Sequence, residues 1–212
     1  MREELGDVST KSGVLLPVVV VVGAIVLFGG SQVVDTVTDF LGDLDGGGAE
    51  VVGEGDTRVL IASEAKPEAD QCMVRQMIDD RRCGDLKVLV VNTRKMPFIA
   101  RNTKLAWESG LPGILTANRG KQQANRAQAC PRSFPRPHGG QCDEYPMAST
   151  DEGGKQARTE EVPPRENACQ GPSYRDQYPS DGERFLVIIS EPNLIATDPY
   201  AGVDEAKDQG WC

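Results

Sequence analysis

Six cysteines, Cys72, Cys83, Cys130, Cys142, Cys169 and Cys212, constrain this chain most, because all of them lie downstream of two segments that hold none. An even set of this kind reads as a disulfide framework formed in an oxidising compartment. Zinc fits poorly, since there is no C-x-x-C pair and only one histidine. Pairs close in sequence, Cys72–Cys83 and Cys130–Cys142, with Cys169–Cys212 then tying down the tail, are one choice among many connectivities.

The two cysteine-free segments explain why the rest can fold apart from them. Val14 to Phe28, "VLLPVVVVVGAIVLF", is an uninterrupted apolar run. With Gly13, Gly29 and Gly30 it approaches the length that crosses a bilayer as one helix. A cleaved signal sequence is the alternative, but Glu3, Glu4 and Asp7 offset Arg2 and Lys11, and no A-x-A-like site follows. The expectation is therefore a short N-terminal segment (1–13) and a membrane anchor over 14–30. Beyond it the protein would stand outside the cytoplasm, tethered or, after cleavage, secreted. Residues 31–56 carry Asp35, Asp39, Asp43, Asp45, Glu50, Glu54 and Asp56 with no Lys or Arg, and Gly46 to Gly48 interrupt them. That composition reads as a self-repelling linker. It also accounts for most of the net charge of -9, so the part beyond it is close to neutral.

The remainder is a domain over 57–190 followed by a tail over 191–212. Thr57–Ser63 reads as a strand, and apolar positions at Met73, Val74, Met77 and Ile78 suggest a helix over Glu68–Arg82. Leu86–Asn92 and Arg184–Ser190 are the strongest strand candidates. Pro97 suits a helix start and Gly110 its stop, "GILT" a short strand, and Asn118–Cys130 a polar helix. These elements do not repeat as regular βαβ units. The fold class expected is α+β: a small, mostly antiparallel sheet with flanking helices, loop-rich and stapled by disulfides, preceded by one transmembrane helix.

Charge placement then points to a chemistry. No acidic residue occurs between Glu108 and Asp143, while Arg119, Lys121, Arg126, Arg132 and Arg136 do, with His138 as a further cation. Asp143, Glu144, Asp151 and Glu152 follow at once, inside "GGQCDEYPMASTDEGG". Cations hold a nucleic-acid backbone without regard to sequence. Carboxylates hold a divalent metal that polarises the phosphate and lowers the pKa of an attacking water. A solvated basic face followed by an acidic turn would have the same composition.

The segment "CDEYPMASTDEGG" resembles the signature of the NucA/NucB-type bacterial deoxyribonucleases. "VLVVNTRKMPFIARNTKLAWESGLPGILTANRGKQQANRA", "RENACQG" and "DGERFLVII" resemble the family's flanking elements, so the similarity runs from about Leu86 to Ile189. The resemblance implies a metal-dependent endonuclease acting on DNA without sequence preference, with Mg²⁺ or Mn²⁺. It implies Asp143 and Glu144 as the central carboxylates, catalytic and metal-binding, with Glu152 and Asn167 as further metal ligands. Arg119, Lys121, Arg126, His138 and Gln170 are candidates for substrate contact. His138, in a loop, lacks a counterpart in the family pattern, and Tyr145 reads as a packing residue. Asp143 and Glu144 can serve one site only if the backbone turns between them, because neighbours on a strand face opposite ways. Pro146 and the glycines make such a turn possible. An inactive domain of the same fold, binding nucleic acid or another partner, is the alternative function.

Overall fold

A computed structural model describes residues 47–210. The apolar run, most of the acidic segment and Cys212 lie outside them, and among the described residues no helix is long and apolar enough to cross a membrane.

Two apolar segments organise the core. Leu86–Asn92 (β4) and Arg184–Ser190 (β8) pair in parallel, from Lys87 beside Phe185 to Asn92 beside Ser190. Both are near-continuous apolar runs rather than alternating ones, which suits strands covered on both faces. Val88 to Val91 and Phe185 to Ile189 are buried accordingly. On its other side β8 meets two partners in succession, both antiparallel. Ile114–Thr116 (β5) lies along its start, and Val59–Ala62 (β2) along its end. Ala49–Val52 (β1) pairs with β2, and Arg82–Cys83 (β3) with β4. The sheet is thus mixed, with antiparallel edges around a parallel centre. The acidic linker of the sequence reading includes Ala49–Val52, which instead adds a strand to this sheet.

The helix expected over Glu68–Arg82 is two short ones, Lys66–Ala69 (α1) and Val74–Asp79 (α2). The disulfide Cys72–Cys83, with a Cα separation of 5.3 Å, explains the break. An unbroken helix would hold those residues about 16 Å apart, at roughly 1.5 Å per residue. Gly84, at φ 57°, turns the chain from β3 into β4.

Helix α3, Pro97–Glu108, begins and ends as the sequence suggests. It is buried on two sides, between β1, β2 and β4 of the sheet and a separate two-stranded ribbon of Gln141–Tyr145 (β6) and Arg158–Val162 (β7). Trp107 Nε1 donates to the Tyr145 hydroxyl at 2.8 Å, and that hydroxyl donates to the Pro112 carbonyl at 2.8 Å. Tyr145 is therefore the packing residue expected. The first turn of α3 has no side-chain cap of its own. Its orphan N–H groups at Phe98 and Ile99 donate instead to Glu166 Oε2, at 3.0 and 3.1 Å.

Glu166 belongs to Pro164–Arg175 (α5), a helix for which the sequence analysis offers no element of its own. The tail crosses the start of α3. Ala196 N–H donates to Pro97 O, the Tyr200 ring meets Phe98 edge-on, and Arg165 forks onto Asp204.

Candidate functional site

The segment expected to turn between its two carboxylates is a regular strand. β6 pairs residue for residue with β7, from Gln141 beside Val162 to Tyr145 beside Arg158. The chain leaves the strand only afterwards, at the cis peptide Tyr145–Pro146. Asp143 and Glu144 consequently point to opposite faces of the ribbon, which corrects the expectation that both reach one point.

Asp143 faces α3 and α5 and is 2% exposed. Its Oδ2 accepts from Asn102 Nδ2 at 2.8 Å and its Oδ1 from Gln170 Nε2 at 2.7 Å. Burial pushes its carboxyl up to about 6 against the pull of these amides and of Arg126 and Arg158. Asn102 in turn accepts from Arg158, which also pairs with Glu160.

Glu144 faces the other way, towards Gln122–Ala129 (α4), and is 6% exposed. Its Oε1 accepts from Arg126 at 2.9 Å. Its Oε2 lies 3.1 Å from Cys130 Sγ, and that sulfur is bonded to Cys142 and has no proton to give. Burial, followed by the charge of Asp143, pushes the Glu144 carboxyl up to about 7 even with Arg126 opposing it.

Glu144 sits in a cleft of ≈ 590 Å³ between α4 and α5. On one wall Arg119, Gln122 and Arg126 recur at i, i+3 and i+7, one face of a helical path. On the other, Asn167, Gln170, Gly171, Tyr174 and Arg175 recur at i, i+3, i+4, i+7 and i+8 of α5. Arg119 is held by Asp181 at 2.6 Å and lies over the Tyr178 ring. Arg175 has no carboxylate partner among the described residues. The Tyr174 side chain is buried, and its hydroxyl makes no hydrogen bond among the described residues.

The cleft gathers Glu144, Asn167, Arg119, Arg126 and Gln170 from the residues singled out by sequence. Others stand apart. Glu152 accepts both its bonds from the Thr116 backbone N–H, at 3.1 and 3.0 Å, and so ties the loop to β5. Lys121 pairs with Asp151 at 2.8 Å, outside the cleft lining. His138 is exposed, its ring edge-on to Tyr200 and its backbone N–H bonded to Glu161.

The paired glycines of the motif have a packing role. Asn125 of α4 is buried beneath the loop and donates to the carbonyls of Ala148 and Thr150, both at 2.9 Å. A Cβ at Gly153 would lie 2.4 Å from the Met147 carbonyl oxygen. At Gly154 it would meet Asn125 Oδ1 at 2.9 Å, on a backbone with φ +103°.

Sequence reasoning misses Arg175, Tyr174, Gln122 and the buried amides Asn102 and Asn125. For α5 the signal exists, but it is a polar stripe at helical spacing, and hydrophobic periodicity passes over it.

Cys130, Cys142 and Glu144 bring three potential ligand atoms together. The two sulfurs are spent on each other in a disulfide, so neither offers a thiolate to a metal. Oxygen remains. Asn167 donates through Nδ2 to Gln141, and Gln170 through Nε2 to Asp143, which leaves the carbonyl oxygen of each amide as an acceptor. The carboxylate of Glu144 and the amide oxygens of Asn167 and Gln170, all lining the cleft, are ligands of the kind that suits a hard divalent cation.

Residues 102–188 match the family model for deoxyribonuclease NucA/NucB. The resemblance read from the motif therefore holds over α3 from Asn102 onward, over α4, the β6–β7 ribbon and α5, and through most of β8. All of the cleft-lining residues fall within the match. No curated protein matches the chain.

Proposed function

We propose that the domain is a deoxyribonuclease that hydrolyses phosphodiester bonds with the help of Mg²⁺ or Mn²⁺, without reading base sequence. The observation that carries this reading is Glu144. It is a nearly buried carboxylate with one oxygen fixed by Arg126 and the other facing no proton donor, in a cleft that Arg119, Arg126 and Arg175 line.

The roles follow from the contacts. Arg119 and Arg175 approach the cleft from opposite walls and take phosphate oxygens, a contact that carries no sequence information. Glu144 Oε2 receives the proton of the attacking water as the water oxygen bonds to phosphorus, and the leaving oxygen departs with a proton from solvent. Arg126 keeps the carboxylate turned into the cleft. Asp143 acts from behind the ribbon by holding Gln170 in place. Asn167 and Gln170, beside Glu144, are the residues that would hold the cation. When bound, it screens the phosphate charge and lowers the pKa of the water.

The domain is assigned to a compartment outside the cytoplasm, either anchored by 14–30 or released. The disulfides Cys72–Cys83 and Cys130–Cys142 support this, because such bonds persist under oxidising conditions. The test is incubation of the purified protein with plasmid DNA in Mg²⁺ or Mn²⁺, beside EDTA and a Glu144→Gln variant. Degradation by the unaltered protein with metal alone is expected. A plasmid left intact under every metal, or cut equally by the variant, refutes the function or the site respectively.

A further inference from the structure

Between α4 and β6 the chain makes a loop, Pro131 to Gly140, whose two ends are joined by Cys130–Cys142. It starts at the cleft, for Cys130 Sγ is the atom 3.1 Å from Glu144 Oε2. The loop holds no acidic residue and carries Arg132 and Arg136, both exposed. Its shape is fixed from within and from beneath. Pro131, Pro135 and Pro137 restrict the backbone. Phe134 N–H donates to Pro131 O and Gly139 N–H to Arg136 O. Glu161 of β7 accepts from the backbone N–H groups of Gly140 and His138, at 2.6 and 3.2 Å. That acid is spent on the backbone and leaves the arginine charges alone. Arg136 lies over the Phe134 ring and donates to the Phe134 carbonyl, neither of which cancels its charge. The contrast with the preceding cations is sharp: Arg119, Lys121 and Arg126 each pair with a carboxylate, whereas Arg132 and Arg136 pair with none among the described residues.

We propose that this disulfide-closed loop is a second DNA-binding element, an arm that holds duplex phosphates flanking the one being cut. The inference rests on DNA being the substrate. A duplex carries a charge about every 1.7 Å along its axis, so one engaged at Glu144 necessarily presents further phosphates beside the root of the loop. Two unneutralised guanidinium groups on a fixed scaffold suit them, and by touching phosphates rather than bases they add affinity and no sequence preference.

The test is binding, measured in EDTA so that no cleavage intervenes. Fluorescence anisotropy with a labelled duplex of about two helical turns (~20 bp) gives affinity across a salt series. Each phosphate contact contributes about 0.9 to the slope of log affinity against log salt, so Arg132→Ala with Arg136→Ala should lower the slope by about 1.8. Between about 50 and 200 mM salt the unaltered protein then loses about twelvefold more affinity than the double variant. Arg132→Ala alone touches none of the loop's internal contacts and should lower the slope by about 0.9. Arg132→Lys with Arg136→Lys should keep it. An unchanged slope in both alanine variants overturns the proposal. So does a lysine variant that loses as much as the alanine one. Phosphatidylserine vesicles in place of DNA form the other arm, and arginine-dependent binding to them with an unchanged DNA slope would assign the loop to a lipid surface. A protein that binds DNA with the expected slope but never cuts plasmid fails the proposed function and leaves the arm standing. One that cuts plasmid with a slope indifferent to both arginines fails the arm alone.

Discussion

Glu166 lies far from solvent, at 0% exposure, and its Oε1 has no hydrogen-bond partner among the described residues, although Arg165 stands 3.9 Å away. Burial pushes its carboxyl from 4.5 up to about 8, against the two backbone N–H groups and Arg165. A carboxyl that holds its proton more tightly folded than unfolded stabilises the fold fully below 4.5. That contribution is lost as pH rises towards 8 and is gone above it. The difference of about 3.5 pH units, at about 1.4 kcal/mol each, amounts to about 5 kcal/mol. Glu166→Gln keeps an oxygen for Phe98 and Ile99 and cannot ionise. Relative to the unaltered protein, the variant should therefore gain about 5 kcal/mol between pH 4.5 and pH 9, with little difference at the acid end. Urea unfolding at several pH values, followed by the fluorescence of buried Trp107, measures this. With a slope of about 2 kcal/mol per molar, the variant's midpoint should move ahead by roughly 2.5 M at the alkaline end. A difference that stays constant with pH would refute the reasoning. It would mean that Glu166 is ionised throughout, its charge carried by the start of α3 and by Arg165.

The other outcomes expected are more local. Asp143→Asn sets one amide donor against Asn102 or Gln170, which should cost about 1–3 kcal/mol in urea unfolding and slow plasmid cleavage; equal stability would show that the carboxylate is not the acceptor described. Replacing Cys130 and Cys142 together by serine opens a short loop, worth about 3 kcal/mol of stability. It should also lower cleavage, because Arg126 and Glu144 stand on either side of that bond, and a double variant as active as its parent would contradict this. Gly153→Ala forces a methyl group against the Met147 carbonyl and should cost about 1–3 kcal/mol, seen as a lowered thermal midpoint. A midpoint that does not move would show that the loop yields.

The strands β4 and β8 and helix α3 are legible in the sequence because burial writes itself as apolar runs and helical spacing. The ribbon is not. In Gln141–Tyr145 a buried strand carries Asp143 and Glu144 where apolar residues would be expected, since each is satisfied by a partner far along the chain, Gln170 and Arg126. The clustering of the acids was legible, and the geometry that parts them was not. Whether two neighbouring carboxylates converge depends on backbone direction, and composition says nothing of that. Glu152 shows the same limit, for an acid beside two glycines reads as a ligand until Thr116 is found beneath it. Helix α5 escapes because its exposed face is polar by necessity.

That polar stripe also limits how this chain can change length. Asn167, Gln170, Gly171, Tyr174 and Arg175 face the cleft only while the helix keeps its phase from Pro164 onward. One residue inserted or deleted in the first turn would rotate all five by about 100°, and would swing Glu166 away from α3 with them. The stretch from Pro163 to Arg175 therefore admits substitution but not a change of register.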